Sequence, residues 1–428
     1  MIKPPGPKGT LIWGSLGEFQ EDTLGFLVRS AENYGDIVRF RFAHMQAYLI
    51  NNPELIKQAL ITNADCFDKH TRSAKQIRAT CGDSLLSFNQ RTWARHRKLI
   101  QPVFQPRFVE TMDDIIDQQT SQMMERWNLL AETGETVNIV AEINQLVIQI
   151  STRALFSSEL DTNKIEQALT VLLNDTWRRL QAPFVMSSLS PIFHKRPFKQ
   201  ALSEVDKMVL NIISKRRAEN TIHDDVLSRL LSAHQGNGNI KLTDSELRDA
   251  VITLLLAGHE TTANALAWSF YLLAEQPHKM PTNMDFQNVF LETVRLYPSI
   301  WIIERRTIKP TKIGDYVIPK GTSVLISPYV LHRHKNYWKT SDQFDPDRFL
   351  EAECDQRPRN AFLPFGLGEH RCVGLHMATK ISTRVLAIAH KQFKLQLISK
   401  NILQPDPGIT LRHNQNILVR VKRKETTK

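Results

Sequence analysis

The long run at 247–275, LRDAVITLLLAGHETTANALAWSFYLLAE, restricts the possible folds more than any other feature of the chain. Its apolar residues recur at helical spacing for roughly eight turns, which corresponds to a helix about 45 Å long. Thr243 and Asp244, just before it, are residue types that begin helices. A helix of this length crosses a whole domain, so the rest of the chain must pack around it.

Three residues in the middle of this run, Gly258, Glu260 and Thr261, are poor choices for a plain apolar core. Glycine there costs about 1 kcal/mol relative to alanine. A buried carboxylate costs more unless it is paired or protonated. The Thr261 hydroxyl can bond back to the carbonyl near Ala257 and bend the helix. These residues therefore indicate either a solvated helix face or a functional site within the helix.

A second stretch, FGLGEHRCVG at 365–374, places Cys372 among three glycines, directly before another helical run. Glycines let the backbone pass close to a flat or bulky group. The N–H groups at a helix start favour thiolate over thiol, so a lowered pKa is expected for Cys372. Such a thiolate could be a nucleophile, a redox sensor or a metal ligand, although most lone cysteines are inert buried residues.

The order Phe-Gly-x-Gly-x-His-x-Cys-x-Gly resembles the haem-binding loop of the cytochrome P450 family, in which a cysteine thiolate ligates the haem iron. Ala-Gly-x-Glu-Thr-Thr at 257–262 matches the oxygen-activation motif of that family. There Thr261 and Glu260 would be catalytic, holding water and relaying the two protons that O–O cleavage consumes. The resemblance covers essentially the whole chain and is to soluble, bacterial-like members.

The haem-binding residues follow from the same resemblance. Trp93 and Arg97 lie four apart on one helix face and alone would indicate only a stacked surface pair. In the family, a Trp-x-x-x-Arg element binds a haem propionate, which suits a guanidinium. The resemblance implies haem b (iron protoporphyrin IX), with Cys372 as metal ligand and Trp93, Arg97, Arg305, His370, Phe365, Gly366, Ala257 and Gly258 as binding residues.

Two further positions carry family patterns. Glu292 and Arg295, at i and i+3, alone indicate an ordinary helix ion pair. By resemblance they form a structural triad near the haem with Arg348. His370 stands where many members have arginine, and its ring can still donate to a propionate.

The remaining patterns predict a mainly α fold with a minor β-sheet region. Residues 36–42 and 47–52 alternate as paired strands, and 313–327 is predicted as a hairpin, whereas 109–180 has the spacing of long amphipathic helices. The resemblance implies the cytochrome P450 fold, with haem between the long helix at 246–275 and the helix that follows Cys372. Residues 181–193, rich in proline and serine, would then form a lid over the substrate pocket.

Residues 1–428 are expected to form a single catalytic domain. The chain passes almost directly from Met280 to Pro281, where the family has another surface helix, so an apparent deletion of that helix is expected. Four cysteines without a CxxC pattern or regular spacing argue against a zinc or disulfide framework and fit a reducing cytoplasm. The N-terminus has neither a signal peptide nor an apolar span long enough for a transmembrane anchor.

The net charge of +11 fits nucleic acid, membrane headgroups or an acidic protein partner. Its basic residues are scattered and no nucleic-acid module is recognisable, so an acidic electron carrier is expected instead. The resemblance thus implies a cytoplasmic, monomeric haem-thiolate monooxygenase that inserts one atom of O2 into an apolar small molecule. Electrons would come from a separate ferredoxin- or flavodoxin-type donor.

Two alternatives keep the same fold. The chain could be a haem-binding protein impaired by the deletion, or it could act as a sensor or a peroxide-driven enzyme. Proteins of the last two kinds do not need the Glu260–Thr261 pair, so the presence of the pair counts against them.

Overall fold

Helices make up most of the chain in the structure, a computed structural model that describes residues 3–86, 90–182, 195–219, 223–236, 240–280, 285–398 and 402–425. The predicted mainly α fold with small sheets is confirmed. The α-helices are α1 Leu16–Glu21, α2 Thr23–Tyr34, α3 Pro53–Lys57, α4 Arg72–Cys81, α5 Gln90–Ile100, α6 Pro106–Glu110, α7 Asp113–Thr133, α8 Ile139–Phe156, α9 Thr162–Gln181, α10 Lys195–Ala218, α11 Val226–His234, α12 Asp244–Glu275, α13 Phe286–Leu296, α14 Pro328–Leu331, α15 Glu351–Cys354 and α16 Leu375–Gln392.

The strands are short and fall into four small sheets. They are β1 Ile37–Phe42, β2 Met45–Ile50, β3 Phe67–Asp68, β4 Thr136–Asn138, β5 Ile303–Thr307, β6 Thr311–Ile313, β7 Tyr316–Ile318, β8 Ser323–Ile326, β9 Phe393–Leu397, β10 Pro405–Pro407, β11 Leu411–His413 and β12 Leu418–Arg423. The largest sheet has the order β1-β2-β8-β5-β3, and a three-stranded sheet has the order β4-β12-β9. The hairpins β6–β7 and β10–β11 each form a separate two-stranded sheet.

Strand pairing confirms one sequence expectation and corrects another. β1 and β2 form the predicted antiparallel pair. The hairpin predicted over 313–327 is instead β6–β7, and β8 leaves it to pair in parallel with β2, so that Ala47 lies opposite Ser323. β8 is buried beside β2 because its apolar residues are needed in the sheet core.

The central helix α12 begins where the sequence predicts. The Thr243 hydroxyl accepts the Glu246 N–H at 3.2 Å, and the Glu246 carboxylate accepts the Thr243 N–H at 2.9 Å. This capping box satisfies the free N–H groups of the first turn. Most of α12 is buried, packed by α8, α10, α13 and α16. Most of the lid predicted at 181–193 lies outside the described residues.

No helix among the described ranges combines the length and the apolar character needed to cross a membrane.

A fully buried ion pair fixes α13 against the loops that lead to the cysteine stretch. Glu292 and Arg295 are both 0% exposed, and Arg295 Nε lies 2.6 Å from Glu292 Oε2. Arg348 Nε lies 3.4 Å from the other carboxylate oxygen, as the expected triad requires. Arg295 also donates to the carbonyls of His332 and Ser341 at 2.8 and 2.6 Å. Burial still raises the pKa of Glu292, since desolvation opposes these contacts.

Replacing Arg295 by methionine should lower the free energy of unfolding by about 3–5 kcal/mol, because Glu292 would lose its main partner inside the protein. Guanidinium unfolding monitored by tryptophan fluorescence measures this loss. The control is Lys207→Ala in the exposed Lys207–Glu204 pair, for which a change within about 1 kcal/mol is expected. The double variant Glu292→Leu/Arg295→Met should be less destabilised than Arg295→Met alone. An Arg295→Met loss no larger than that of the control would contradict the assignment.

Candidate active site

A cavity of about 600 Å³ lies between the middle of α12 and the loop that precedes α16. Elements from across the sequence contribute to its wall, including α4, α5, α9 and β5. Every site residue predicted from the sequence lines this cavity: Trp93, Arg97, Ala257, Gly258, Glu260, Thr261, Arg305, Phe365, Gly366, His370 and Cys372. One interpretation of the polar residues in α12 is a solvated helix face. In the structure, that face forms part of the wall of an internal cavity.

Thr261 has the local geometry that the sequence predicts. Its hydroxyl donates to the Ala257 carbonyl at 2.8 Å, and its own carbonyl accepts the Ser299 hydroxyl at 2.7 Å. Ala257 is exposed to the cavity although the apolar residues before it are buried. A hydroxyl and an open stretch of helix backbone thus face the same space.

Gly258 lines the cavity on α12 and faces α8 on its other side. A Cβ atom at this position would lie 3.7 Å from side-chain atoms of both Leu155 and Ser151 on α8, which is ordinary van der Waals contact, so packing against α8 would also admit alanine. The Ser151 hydroxyl donates to the Gly258 carbonyl at 3.2 Å and joins the two helices.

The cysteine loop owes its shape to two left-handed glycines, Gly366 (φ +73°) and Gly368 (φ +75°). A Cβ atom on Gly368 would lie 2.5 Å from the Leu60 carbonyl oxygen, which leaves no room for another residue. The loop closes where the Cys372 N–H donates to the Phe365 carbonyl at 2.9 Å. Cys372 is consequently presented to the cavity from a fixed backbone.

The expected lowering of the Cys372 pKa is wrong. Burial raises the pKa of the thiol, and this effect outweighs the backbone N–H groups of Gly374 and Leu375 and the nearby Arg97, which favour the thiolate. The side chain is accessible from the cavity, yet protein atoms surround the cavity closely enough for desolvation to dominate. A metal cation at the sulfur would supply the missing charge, because a coordinating thiol is deprotonated outright.

Several basic side chains converge on one edge of the cavity. Burial, with repulsion from Arg305 and Arg97, lowers the pKa of Lys69 to about 7. Burial also lowers the pKa of Arg305 to about 10. For His370, burial and repulsion from Lys69, Arg305 and Arg97 lower the pKa to about 3. These mutual effects show that the groups face one another.

Trp93 packs among these groups. Its ring lies edge-on to His370, with centroids 4.2 Å apart, and Lys69 Nζ lies 5.8 Å from its centroid. Arg97 donates to neutral acceptors, the Arg371 carbonyl at 2.7 Å and the Gln101 amide oxygen at 2.9 Å. The Glu369 carboxylate attracts Lys69 and Arg305, and Glu304 attracts Arg305, but these attractions offset the burial of the two cations only in part.

These features fit a prosthetic group that carries carboxylates and a metal. Two carboxylates at the cationic edge would relieve the repulsion among Lys69, Arg97 and Arg305, and a metal would take the Cys372 thiolate. Lys69 was missed by the sequence analysis. Its place at the cationic edge becomes visible only in the folded structure, where it lies near Arg97 and Arg305. A lysine that follows a two-residue strand has no sequence pattern that marks it as a binding residue.

Comparisons with known proteins point to one family. A family model described as Cytochrome P450 matches residues 4–282 and 279–421, two segments that meet near Met280. The chain is 30% identical to cyclooctat-9-en-7-ol 5-monooxygenase of Streptomyces melanosporofaciens, over 91% of this chain and 86% of that protein. It is 28% identical to cyclooctatin synthase of the same organism, over 95% and 92%. Pentalenene oxygenase of Streptomyces avermitilis is 27% identical, over 97% and 96%. The family match extends over nearly the whole chain, and the chain therefore belongs to the cytochrome P450 family.

Proposed function

We propose that this chain, a haem-thiolate monooxygenase by family, binds haem b in the cavity with Cys372 as the iron ligand and oxygenates a cyclic terpenoid. One observation carries the proposal. A single cavity brings together the Cys372 thiol, the Thr261 hydroxyl with the Glu260 carboxylate, and a cationic edge. The overall reaction, R–H + O2 + 2 e⁻ + 2 H⁺ → R–OH + H2O, needs a thiolate-ligated haem, a proton supply and a dry pocket.

Different residues of the cavity would bind the haem and supply the protons. When bound, the haem supplies the redox-active iron at which O2 is reduced. Trp93, Arg97, Arg305, His370 and Lys69 would hold its propionates at the cationic edge. Phe365 and Gly366 of the cysteine loop, with Ala257 and Gly258 of α12, would hold the rest of the group in the cavity.

Thr261 and Glu260 supply the protons. The Thr261 hydroxyl now donates to its own helix, and rotation about χ1 would turn it to hold a water in the cavity. Glu260 passes protons inward as a general acid and base.

The substrate class rests on the relatives and on the cavity wall. Two relatives are named for the oxygenation of cyclooctat-9-en-7-ol and pentalenene. The wall away from the cationic edge is rich in apolar side chains, among them Ile77, Leu85, Leu173, Leu325 and Ile409. Such a wall suits an apolar small molecule better than a charged one.

Cytochromes P450 use O2 and redox partners, and for this chain we propose a separate acidic ferredoxin or flavodoxin. Exposed cations on and near the elements that support the cysteine loop, Arg91, Lys98, Arg107 and Arg371, would attract it. Nucleic acid has no part in this proposal. The protein is proposed to act as a cytoplasmic monomer.

We also propose that residues 1–428 form one catalytic domain that lacks a surface helix of the family near 280–281. In support, the family match breaks at 279–282, and α12 and α13 are separated by only the ten residues 276–285. The shortened protein should still bind one haem per chain.

The function is tested by oxygen labelling. Holoprotein supplied with a surrogate ferredoxin, its reductase and NADPH is incubated under ¹⁸O2 with a panel that includes pentalenene and other cyclic terpenes. Mass spectrometry should detect a product that carries one ¹⁸O atom. Product without ¹⁸O, or product formed only with added peroxide, would contradict the monooxygenase reaction, and the second result would favour the peroxide-driven alternative.

Lys69→Gln should weaken haem retention, because the substitution removes one of the buried cations that face the propionates. Transfer of haem to apomyoglobin measures the dissociation rate, which we expect to rise by about tenfold if one charged hydrogen bond is worth about 1.5 kcal/mol. Lys309→Gln is the control, since Lys309 pairs with Asp65 at the surface. Equal rates for the two variants would contradict the role of Lys69, and substoichiometric haem in the wild type would contradict the shortened fold.

A further inference from the structure

The β10–β11 hairpin brings a cation to the carboxylate in the middle of α12. Arg412 Nε donates to Glu260 Oε1 at 2.5 Å, and the Arg412 side chain is only 23% exposed. Glu260 is 9% exposed and borders the cavity. A carboxylate this deep is costly without a partner, and Arg412 forms an ion pair with it.

The same guanidinium contacts the helix that covers the cavity. Arg412 Nη1 donates to Asn174 Oδ1 at 2.5 Å, and Asn174 lies on α9. The neighbouring residues Leu173, Thr176 and Trp177 line the cavity. One side chain therefore joins the cover of the cavity to Glu260.

The hairpin is anchored to the central helix through Ser299 and through a direct contact with Asn264. The Leu411 N–H donates to the Ser299 carbonyl at 2.9 Å, and the Ser299 hydroxyl donates to the Thr261 carbonyl. The Asn264 amide donates to the Thr410 hydroxyl at 3.2 Å. Arg412 thus starts from a backbone that is fixed relative to Glu260.

The end of α9 is held by other contacts. The Gln20 amide donates to the Gln181 carbonyl at 2.6 Å, and the Arg72 guanidinium donates to the Arg179 carbonyl at 3.0 Å. If α9 moves away from the cavity, the Asn174–Arg412 contact is broken while the hairpin stays with α12.

A second carboxyl group lies near Arg412 but does not replace Glu260 as its partner. Asp406 is opposite Arg412 in the β10–β11 ladder. Burial raises the pKa of Asp406, and Arg412 offsets this only in part. The hydrogen bonds of the guanidinium go instead to Glu260 and Asn174.

We infer that Arg412 is a positioning residue that holds the Glu260 carboxylate in place at the cavity wall, and that, through Asn174, this positioning depends on α9 being docked over the cavity. The inference rests on the proposed role of Glu260 as proton donor. A carboxylate that turns away from the cavity cannot accept and pass on the next proton. Glu260 would then supply protons when α9 is docked over the cavity.

The first test reads the hydrogen bonding of the Glu260 carboxyl group directly. In infrared spectra of the holoprotein, the band that a Glu260→Gln substitution removes should be shifted in Arg412→Gln relative to the wild type, because the guanidinium donor is lost. The band should disappear in Arg412→Gln/Glu260→Gln, and Arg412→Lys should restore the wild-type spectrum. The control is Arg420→Gln, an exposed arginine on β12 that donates to the Gly134 carbonyl. A wild-type spectrum for Arg412→Gln would overturn the inference.

The second test follows the protons during O2 reduction without substrate. Holoprotein receives electrons from a surrogate ferredoxin, and the amount of H2O2 formed per NADPH is measured. The reaction O2 + 2 e⁻ + 2 H⁺ → H2O2 competes with the full reduction of O2 to water. Arg412→Gln should raise the H2O2 share and change the solvent deuterium effect, because proton transfer slows by up to about 100-fold. Arg412→Lys should recover most of the loss.

Asn174→Ala should give an intermediate H2O2 share, and Arg420→Gln should match the wild type. Wild-type behaviour of Asn174→Ala would overturn the link to α9, and wild-type behaviour of Arg412→Gln would overturn the role of Arg412. Failure of the proposed monooxygenase function is distinguishable, because it would remove product labelling and leave the infrared result unchanged.

Discussion

The burial of α12 is the constraint on which the rest of the structure depends. A helix of this length, covered by α8, α10, α13 and α16, brings its polar middle into the interior, where each polar group needs a partner. The partners come from different parts of the chain: Arg412 for Glu260, and Ser299 for the Thr261 carbonyl. The chemistry of the cavity wall is therefore built by tertiary contacts around one helix.

On the other side of the cavity, the protein by itself places charged and ionisable groups in electrostatically unfavourable positions. Burial disfavours the charge of Lys69, which Arg305 and Arg97 also repel, and burial disfavours the thiolate of Cys372. A group that brings carboxylates and a metal cation reverses both effects at once. Binding energy of this kind adds to folding stability by mass action, so the holoprotein should be markedly more stable than the apoprotein.

Local patterns in the sequence predict much of this arrangement. The cap at Thr243, the helical run of α12 and the β1–β2 pair depend on residues close in sequence, and the structure has all three. The hairpin predicted over 313–327 failed because β8 pairs with β2, far away in the chain. Periodicity contains no information about such distant partners.

The same limit applies to the site. The resemblance supplied Cys372 and Thr261, but Lys69 and Arg412 act through groups that are distant in sequence, and nothing local marks them. The pKa of Cys372 was predicted in the wrong direction because the N–H groups of a helix start are visible in the sequence, whereas the depth of burial is not. Effects that depend on desolvation require the folded structure.

The central claim, that Cys372 is the thiolate ligand of haem iron, is tested most directly by the absorbance of the reduced, carbon monoxide-bound protein. A thiolate-shifted Soret band is predicted for the wild type, and its loss is predicted for Cys372→Ser. A Soret band at the position of an ordinary histidine-ligated haem in the wild type would contradict the claim.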